Sequence, residues 1–420
     1  MTPSARRSIA WLFIILAGLS PILIMSTSRG GSLSFHLLLA AGVAVLATTR
    51  NAAADVRTTL RPYLPLMAAL FSLAASVMIS QAWHGDWHGS EVEKSLRFAL
   101  AMLLLAAALR IPAEKLRYAM FGILAATWYA ALNIGWLAYA SAARPVTHEF
   151  NAVTYGDLTL LFATLSFLSL GYPLTRHRRA ETVLKLATAL IGFVGFALTQ
   201  TRGGWLAIPF FVLIWLATLG RIPMRSKLIS FALVVTVFAV AAQANTSLRA
   251  RIDAGIDQYK SCATSPLDDT SVCIRLQLWK AAWEMFKSEP VVGVGGKDGF
   301  REALRTLHEQ GKVSAFVAEN FGETHNDLLD FLASYGLLGA LGMLAIYVGP
   351  ACYFVGRLRH TPASQRAAAA AGLAICVGFA VFGLTEMMFR GMRTASLYGT
   401  WIAIFLALSH PLPDSTDQRA

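Results

Sequence analysis

Apolar residues fall along this chain in long runs bounded by charges, proline or glycine, not in alternation with polar positions. Runs of about 18 residues or more are long enough to cross a hydrocarbon core of roughly 30 Å as an α-helix. The pattern predicts about twelve spans, at 9–26, 33–49, 63–80, 96–111, 117–141, 153–173, 183–201, 204–220, 227–243, 328–356, 367–389 and 395–410. The second is short and weakly bounded, so eleven or thirteen spans fit as well. The first run follows Arg6 and Arg7, as in a signal peptide, yet no small-residue cleavage site precedes a soluble domain, and it reads as a retained span. The expectation is an all-α integral membrane protein in four parts. These are nine transmembrane helices in 1–243, a long outer segment at 244–327 with amphipathic helices, three further transmembrane helices in 328–410, and a cytoplasmic tail at 411–420.

Composition agrees, and charge supplies an orientation. Only 14% of residues are charged, 56% are apolar or aromatic, and the mean hydropathy is +0.54. A soluble domain carries about a quarter charged residues. The 36 Lys and Arg exceed the 24 Asp and Glu by 12, an excess that in a soluble protein would raise nucleic acid as a partner. In a membrane protein, basic residues instead set topology by collecting in cytoplasmic loops, and no nucleic-acid partner is expected. With the N-terminus inside, 19 of the 36 fall inside and 17 outside, ten of these within 244–327. Long loops do not count in this rule, so the comparison is 19 against seven. Both termini are expected inside and 244–327 outside. Cys262 and Cys273 fall in that outer segment, whereas Cys352 and Cys376 lie in apolar runs. In an oxidising compartment the first pair can close a disulfide, and two free thiols are an equally ordinary reading.

Ionisable residues within the spans read as few: Asp157, Asp330, Glu386 and Arg390, each near an outer end. A transporter usually places charges near the midplane and often carries internal repeats. Neither is visible, which disfavours a polysaccharide or lipid transporter. Polar chemistry gathers instead in three outer segments. Gln200-Thr201-Arg202-Gly203-Gly204-Trp205 forms a turn so short that Arg202 sits between two helix ends, as a headgroup anchor or as a ligand. Residues 274–287 repeat at helical spacing through 275, 279, 282 and 286, so Arg275 shares a face with Trp279 on an amphipathic helix at the membrane interface. A cation near a helix start is disfavoured by the dipole, which points to a bound anion or to pairing with Asp268 or Asp269. Pro290 and Gly293, Gly295, Gly296 and Gly299 follow as a tight turn. Thr324 and Asp327 read as a variant capping box that places His325 in the first turn of the tenth span, either as a neutral proton acceptor or as an ordinary surface histidine.

Taken together, Arg-Gly in a short outer turn, a long outer loop with Arg, Trp and Pro-x-x-Gly-x-Gly, and His-Asn opening the next span resemble the O-antigen ligase and polymerase superfamily. By topology the resemblance covers nearly the whole chain; its specific motifs occupy about fifty residues. It implies a C-type glycosyltransferase-like fold in a bacterial inner membrane, with the active site at the periplasmic face. It further implies transfer of a polysaccharide from undecaprenyl pyrophosphate to the lipid A core oligosaccharide, by inverting chemistry without cofactor or metal. Membrane lipid and the two lipid-borne glycans are then the partners. Arg202 and Arg275 match the arginines that hold the pyrophosphate, His325 matches the essential histidine, and Trp279 and Asn326 join Arg202 and Arg275 as substrate-binding residues. One departure is Tyr335, where many relatives place Glu shortly before the residue equivalent to Gly336. Lys260, Lys280, Lys287, Lys297, Arg301, Arg305 and Lys312 can attract a phosphorylated acceptor, or form a solvated surface balanced by twelve acids in the same segment. A polymerase or a protein O-oligosaccharyltransferase would share the donor and differ in the acceptor. No metal site is expected; Asp268-Asp269 is the nearest acidic pair, and divalent cations require several converging oxygens.

Overall fold

The computed structural model describes residues 2–48, 57–140, 144–220, 223, 225–229, 231, 232, 236, 246–358 and 362–410. Most of the expected ninth span, the end of the first part at 243 and the tail at 411–420 lie outside these residues. All regular structure among them is helical. The principal helices are α1 Pro3–Ser26, α2 Gly30–Ala47, α3 Leu64–His84, α4 Gly89–Ala108, α5 Met120–Ala140, α6 Ala152–Leu168, α7 Arg178–Leu198 and α8 Ile208–Thr218. There follow α9 Thr246–Thr264, α10 Ser271–Ser288, α11 Gly296–Glu309, α12 Ala315–Asn320, α13 Asp327–Arg357, α14 Ala363–Phe382 and α15 Met392–Leu408. Among the described residues, eight helical stretches are long and apolar enough to cross a membrane, and 203–218 and 392–408 are shorter apolar helices.

The apolar runs form helices because Leu, Ala, Met and Phe lose little conformational freedom there and leave no backbone group unpaired in lipid. Helices α6, α14 and α15 lie deepest, with most of their residues buried. Small residues allow this: Ala367 to Ala371 and Gly372 line α14, and Gly122 of α5 lies against the Gly18 carbonyl of α1. Close backbone approach through small residues is how helices pack without a hydrophobic driving force.

The helices also hold charges that the apolar pattern hides. Arg97 of α4, 1% exposed, pairs with Glu93 at 2.5 Å and donates to Ser396 Oγ, Ser32 Oγ and the Met392 carbonyl. Lys185 of α7 pairs with Glu181 at 2.5 Å and donates to the Ser169 and Tyr172 carbonyls. Lys185 donates to three acceptors, and Arg97 engages both terminal nitrogens while its Nε is buried without a hydrogen-bond partner among the described residues, so both read as clamps between elements.

Six connections meet at one end of the bundle: 27–29, 85–88, 144–151, 199–207, 265–326 with its helices, and 383–391. Here the structure corrects the boundaries of the eleventh span. Helix α14 stops at Phe382, and 383–391 is an irregular segment, so Glu386 and Arg390 lie in a loop and not in a helix. The cause is Asp327, whose buried carboxylate accepts from Tyr347 Oη at 2.9 Å and from the Met388 and Phe389 amides at 3.2 Å, while its own amide donates to the Gly383 carbonyl at 2.8 Å.

The glycine cluster after Pro290 is more than a turn. Helix α13 breaks at Gly336 (φ 64°, ψ −157°), and the 290–295 segment fills the break. Val294 and Gly295 amides donate to the Ala333 and Ser334 carbonyls, and the Leu337 amide donates to the Pro290 carbonyl, at 2.9–3.0 Å. A Cβ on Gly336 would lie 2.4 Å from the Val291 carbonyl group, in a backbone conformation confined essentially to glycine. Gly336→Ala should therefore destabilise the protein by more than about 2 kcal/mol, seen as a lowered melting temperature of the detergent-purified protein.

Candidate active site

Helices α10, α11 and α12 share a small core of Ile274, Leu278, Met285, Phe300, Leu304 and Val317 that rests on Ala333 of α13. This core sets the roll of α10. Its buried residues are Cys273, Ile274, Gln277, Leu278, Ala281, Ala282 and Met285, one position off the face expected from 275, 279, 282 and 286. Arg275 and Trp279 thus lie on its flank. Trp279 Nε1 donates to the Thr324 carbonyl at 3.1 Å, fixing the chain one residue before His325 instead of anchoring α10 in lipid. Cys262 and Cys273 are joined by a disulfide that ties α9 to the start of α10.

The capping expected of Thr324 falls to Asn326. Its Oδ1 accepts from the Leu329 amide at 3.1 Å and its Nδ2 donates to the Leu384 carbonyl at 3.1 Å, while Thr324 Oγ1 donates to the Asn326 carbonyl. Asparagine is among the best N-caps, whereas the short Asp327 side chain is engaged with 388–389 and cannot reach back. His325 consequently precedes α13 with φ 52°, and Asn326 acts through the backbone it holds. Gln200, next to the Arg202 turn, is the other non-glycine residue with positive φ among the described residues, at 53°. Such conformations cost about 1–3 kcal/mol and cluster at functional sites.

His325 Nδ1 faces two carboxylates, Glu386 Oε1 at 3.3 Å and Glu323 Oε1 at 3.7 Å. Arg390 pairs with Glu323 on its other oxygen, and the Phe321 ring meets the imidazole edge to face, with centroids 5.7 Å apart. Burial alone would raise the Glu386 carboxyl, but the His325 hydrogen bond and charge, the Met387 amide and Arg275 outweigh it and hold Glu386 below the ordinary glutamate value of 4.5. A depressed carboxyl contributes stability that is complete above its unfolded value and is lost as the pH falls through the folded one. Melting temperatures of the wild type and Glu386→Gln should therefore differ at neutral pH and converge as the pH falls below the ordinary glutamate value of 4.5 and through the depressed one.

Beside this pair opens a cleft of about 350 Å³. Three arginines from separate elements line it: Arg144, Arg202 and Arg275. Arg144 is placed by donation from Nε to the Thr199 carbonyl at 2.9 Å and from Nη2 to Thr201 Oγ1 at 3.3 Å. Its loop is pinned by Arg393, which pairs with Glu149 at 3.0 Å and lies 4.0 Å over the Phe150 ring. Arg202 starts the turn Gly203–Ala207 and reaches α9, where its Nη1 would be 2.6 Å from a Cβ at Gly255. Gly204 allows that turn to sit directly on Asp157, whose carboxylate oxygens are buried with no hydrogen-bond partner among the described residues. Arg275 forms no ion pair with Asp268 or Asp269; Asp269 accepts from Ser314, and Arg275 Nε is buried without a hydrogen-bond partner among the described residues. Thr385 lines the same cleft, so its neighbour Glu386 connects the arginines to His325.

The expected Arg202 and Arg275 are thus brought to one cleft. Arg144 and Glu386 complete the arrangement, the first marked by no motif and the second expected only as an ionisable residue near the outer end of a span. Arg144 stands alone in Ala-Arg-Pro-Val-Thr with no periodicity around it, and Glu386 lies in an apolar run that resembles a helix continuing. Glu323, His325 and Glu386 also present ligand atoms within 4.8 Å of one another, the one such group among the described residues that could hold a metal ion. Asp268-Asp269 is therefore not the nearest acidic grouping. A cation there would compete with Arg390 for Glu323 and sit within the field of Arg275.

Residues 187–344 match the family model described as O-antigen ligase. This stretch contains Arg202, Arg275 and His325 and ends before Glu386. A protein of Haemophilus influenzae described as uncharacterized is 23% identical over 254 residues, 59% of this chain and 61% of that relative. The aligned chain thus spans about three fifths of that relative's length.

Proposed function

Starting from the O-antigen ligase domain at 187–344, we propose that the chain transfers a glycan from undecaprenyl pyrophosphate to the lipid A core oligosaccharide. It does so by metal-independent inverting transfer at the periplasmic face of the inner membrane. The observation that carries this reading is the convergence of Arg144, Arg202 and Arg275 on one cleft adjoining a histidine paired to a carboxylate. A pyrophosphate is the leaving group such a cleft fits, since guanidinium forks match phosphate oxygens in charge and geometry.

The steps follow from the groups present. The acceptor hydroxyl oxygen attacks C1 of the donor sugar on the face opposite the pyrophosphate, a new C1–O bond forms, and the bond from C1 to the phosphate oxygen breaks with its electron pair. That pair becomes negative charge on the prenyl pyrophosphate, which the arginines stabilise where it develops. Donation of Nδ1–H to Glu386 leaves His325 Nε2 as the acceptor for the hydroxyl proton, and the carboxylate stabilises the imidazolium that results. Both substrates carry lipid tails, which accounts for a site at the end of an apolar bundle.

Product identity tests the reading. Purified protein incubated with prenyl-linked glycan and rough lipopolysaccharide should yield ladder-bearing lipopolysaccharide on a gel, and dialysis against a chelator should leave the rate unchanged. Donor-to-donor products would instead identify a polymerase, glycosylated protein an oligosaccharyltransferase, and a chelator-sensitive rate would assign Glu323, His325 and Glu386 to a metal.

A further inference from the structure

A second opening is lined by Gly322 and Met387, close in the chain to His325 and Glu386, and shares no lining residue with the arginine cleft. It is a recess of about 60 Å³ between α4, α13 and the 383–391 segment, lined on its polar side by Glu91, Lys94, Lys297, Asp330, Tyr335 and Arg390. The 383–391 segment contributes Thr385 to the cleft and Met387, Phe389 and Arg390 to the recess, with Glu386 between them in the chain. The recess is also wired to the histidine's own backbone. Gly322 lines it, Asp330 Oδ1 accepts from the Thr324 amide at 3.0 Å, and Arg390 pairs with Glu323.

Its charges are not mutually satisfied. Glu91 accepts from Tyr335 Oη at 2.8 Å, from the Lys297 backbone amide at 3.2 Å and from Gln81 Nε2 at 3.3 Å, all neutral donors. Asp330 takes a backbone amide. The ammonium groups of Lys94 and Lys297 make no hydrogen bond or close ion pair among the described residues, although Lys94 is half-buried beside the two acids. Two cations with free donors, next to Glu91 already taken by three donors and Asp330 held by the Thr324 amide, favour an added anion over an added cation. The volume accommodates a small charged group on a sugar, not a whole oligosaccharide. Phe98, Phe331 and Phe389 supply the apolar wall against which a sugar face can rest.

We propose that this recess is the acceptor subsite, and that Lys94 and Lys297 hold an anionic substituent, a phosphate or a carboxylate, on the sugar whose hydroxyl faces His325. This rests on the glycosyl-transfer reading for its role, but binding can be measured without turnover. The test is direct binding of a hexose 6-phosphate, a hexuronate and the neutral hexose to the full-length purified protein by isothermal titration. The proposal predicts that at least one anionic sugar binds about tenfold or more tighter than the neutral one. That preference should be lost in Lys94→Gln and in Lys297→Gln, the second an exposed position where folding is not at stake, and kept in Arg202→Gln. Which anionic sugar binds tells phosphate from carboxylate. Equal binding of all three sugars, or a preference lost in Arg202→Gln and kept in both lysine variants, overturns it. Failure of transfer with preserved binding would count against the proposed reaction and leave the recess assignment standing.

Discussion

Arg275→Gln is expected to cut glycosyl transfer about 10²–10³-fold and to leave the protein folded. The guanidinium lies on the flank of α10, outside the core of Ile274, Leu278 and Met285, and its Nε is buried with no hydrogen bond to leave unmade. Its removal therefore costs little in stability. Its charge acts on the cleft it shares with Arg144 and Arg202, where a cation fixed against protein is worth more than in bulk solvent. Arg275→Lys should recover only part of the loss, because an ammonium keeps the charge without the planar fork. The check is single-turnover transfer with saturating donor, alongside a melting curve. A rate loss matched by a large fall in melting temperature would assign Arg275 to folding instead.

His325→Asn is expected to lower the rate by about 10²–10⁴-fold, the usual contribution of a general base. Asparagine is chosen because it tolerates the left-handed backbone that His325 adopts at φ 52°, so the Thr324–Asn326 turn keeps its shape. His325→Ala would add backbone strain and confuse the two effects. Glu386→Gln should cost less than loss of the histidine, since Glu386 acts by fixing the imidazole and stabilising its charged form. The double variant should be no slower than His325→Asn alone if the two residues act as a unit, measured as kcat across pH. Multiplying losses would separate Glu386 from the histidine.

The bundle and the three site segments were legible in the sequence because both rest on local signals. Apolar runs report spans directly, and Arg202-Gly203-Gly204, Arg275 before Trp279, and His325-Asn326 are short motifs whose chemistry needs no partner to be seen. What was not legible depends on contacts between distant segments. The end of α14 at Phe382 is set by Asp327, 55 residues earlier, which captures the 388–389 amides. Nothing in Gly-Leu-Thr-Glu-Met-Met-Phe marks a break on its own. The glycines after Pro290 read as a turn because the break in α13 that they fill is only visible once Gly336 is placed against Val291. Arg97 and Lys185 disappeared into apolar surroundings because each is neutralised one turn away, by Glu93 and Glu181. Tyr335 donates to Glu91 of α4, so an acid does stand beside this kink, supplied by another helix.

In the proposed reaction the arginine cleft and His325 together move a sugar from a prenyl pyrophosphate to a hydroxyl. Proteoliposomes containing the full-length protein, radiolabelled prenyl-pyrophosphate-linked glycan and rough lipopolysaccharide allow both products to be counted in one reaction. One prenyl pyrophosphate should be released for each glycan joined to lipopolysaccharide, with the anomeric configuration inverted and both products lost in Arg275→Gln and His325→Asn. Pyrophosphate release without a glycosylated acceptor, retained configuration, or undiminished transfer in both variants would contradict it.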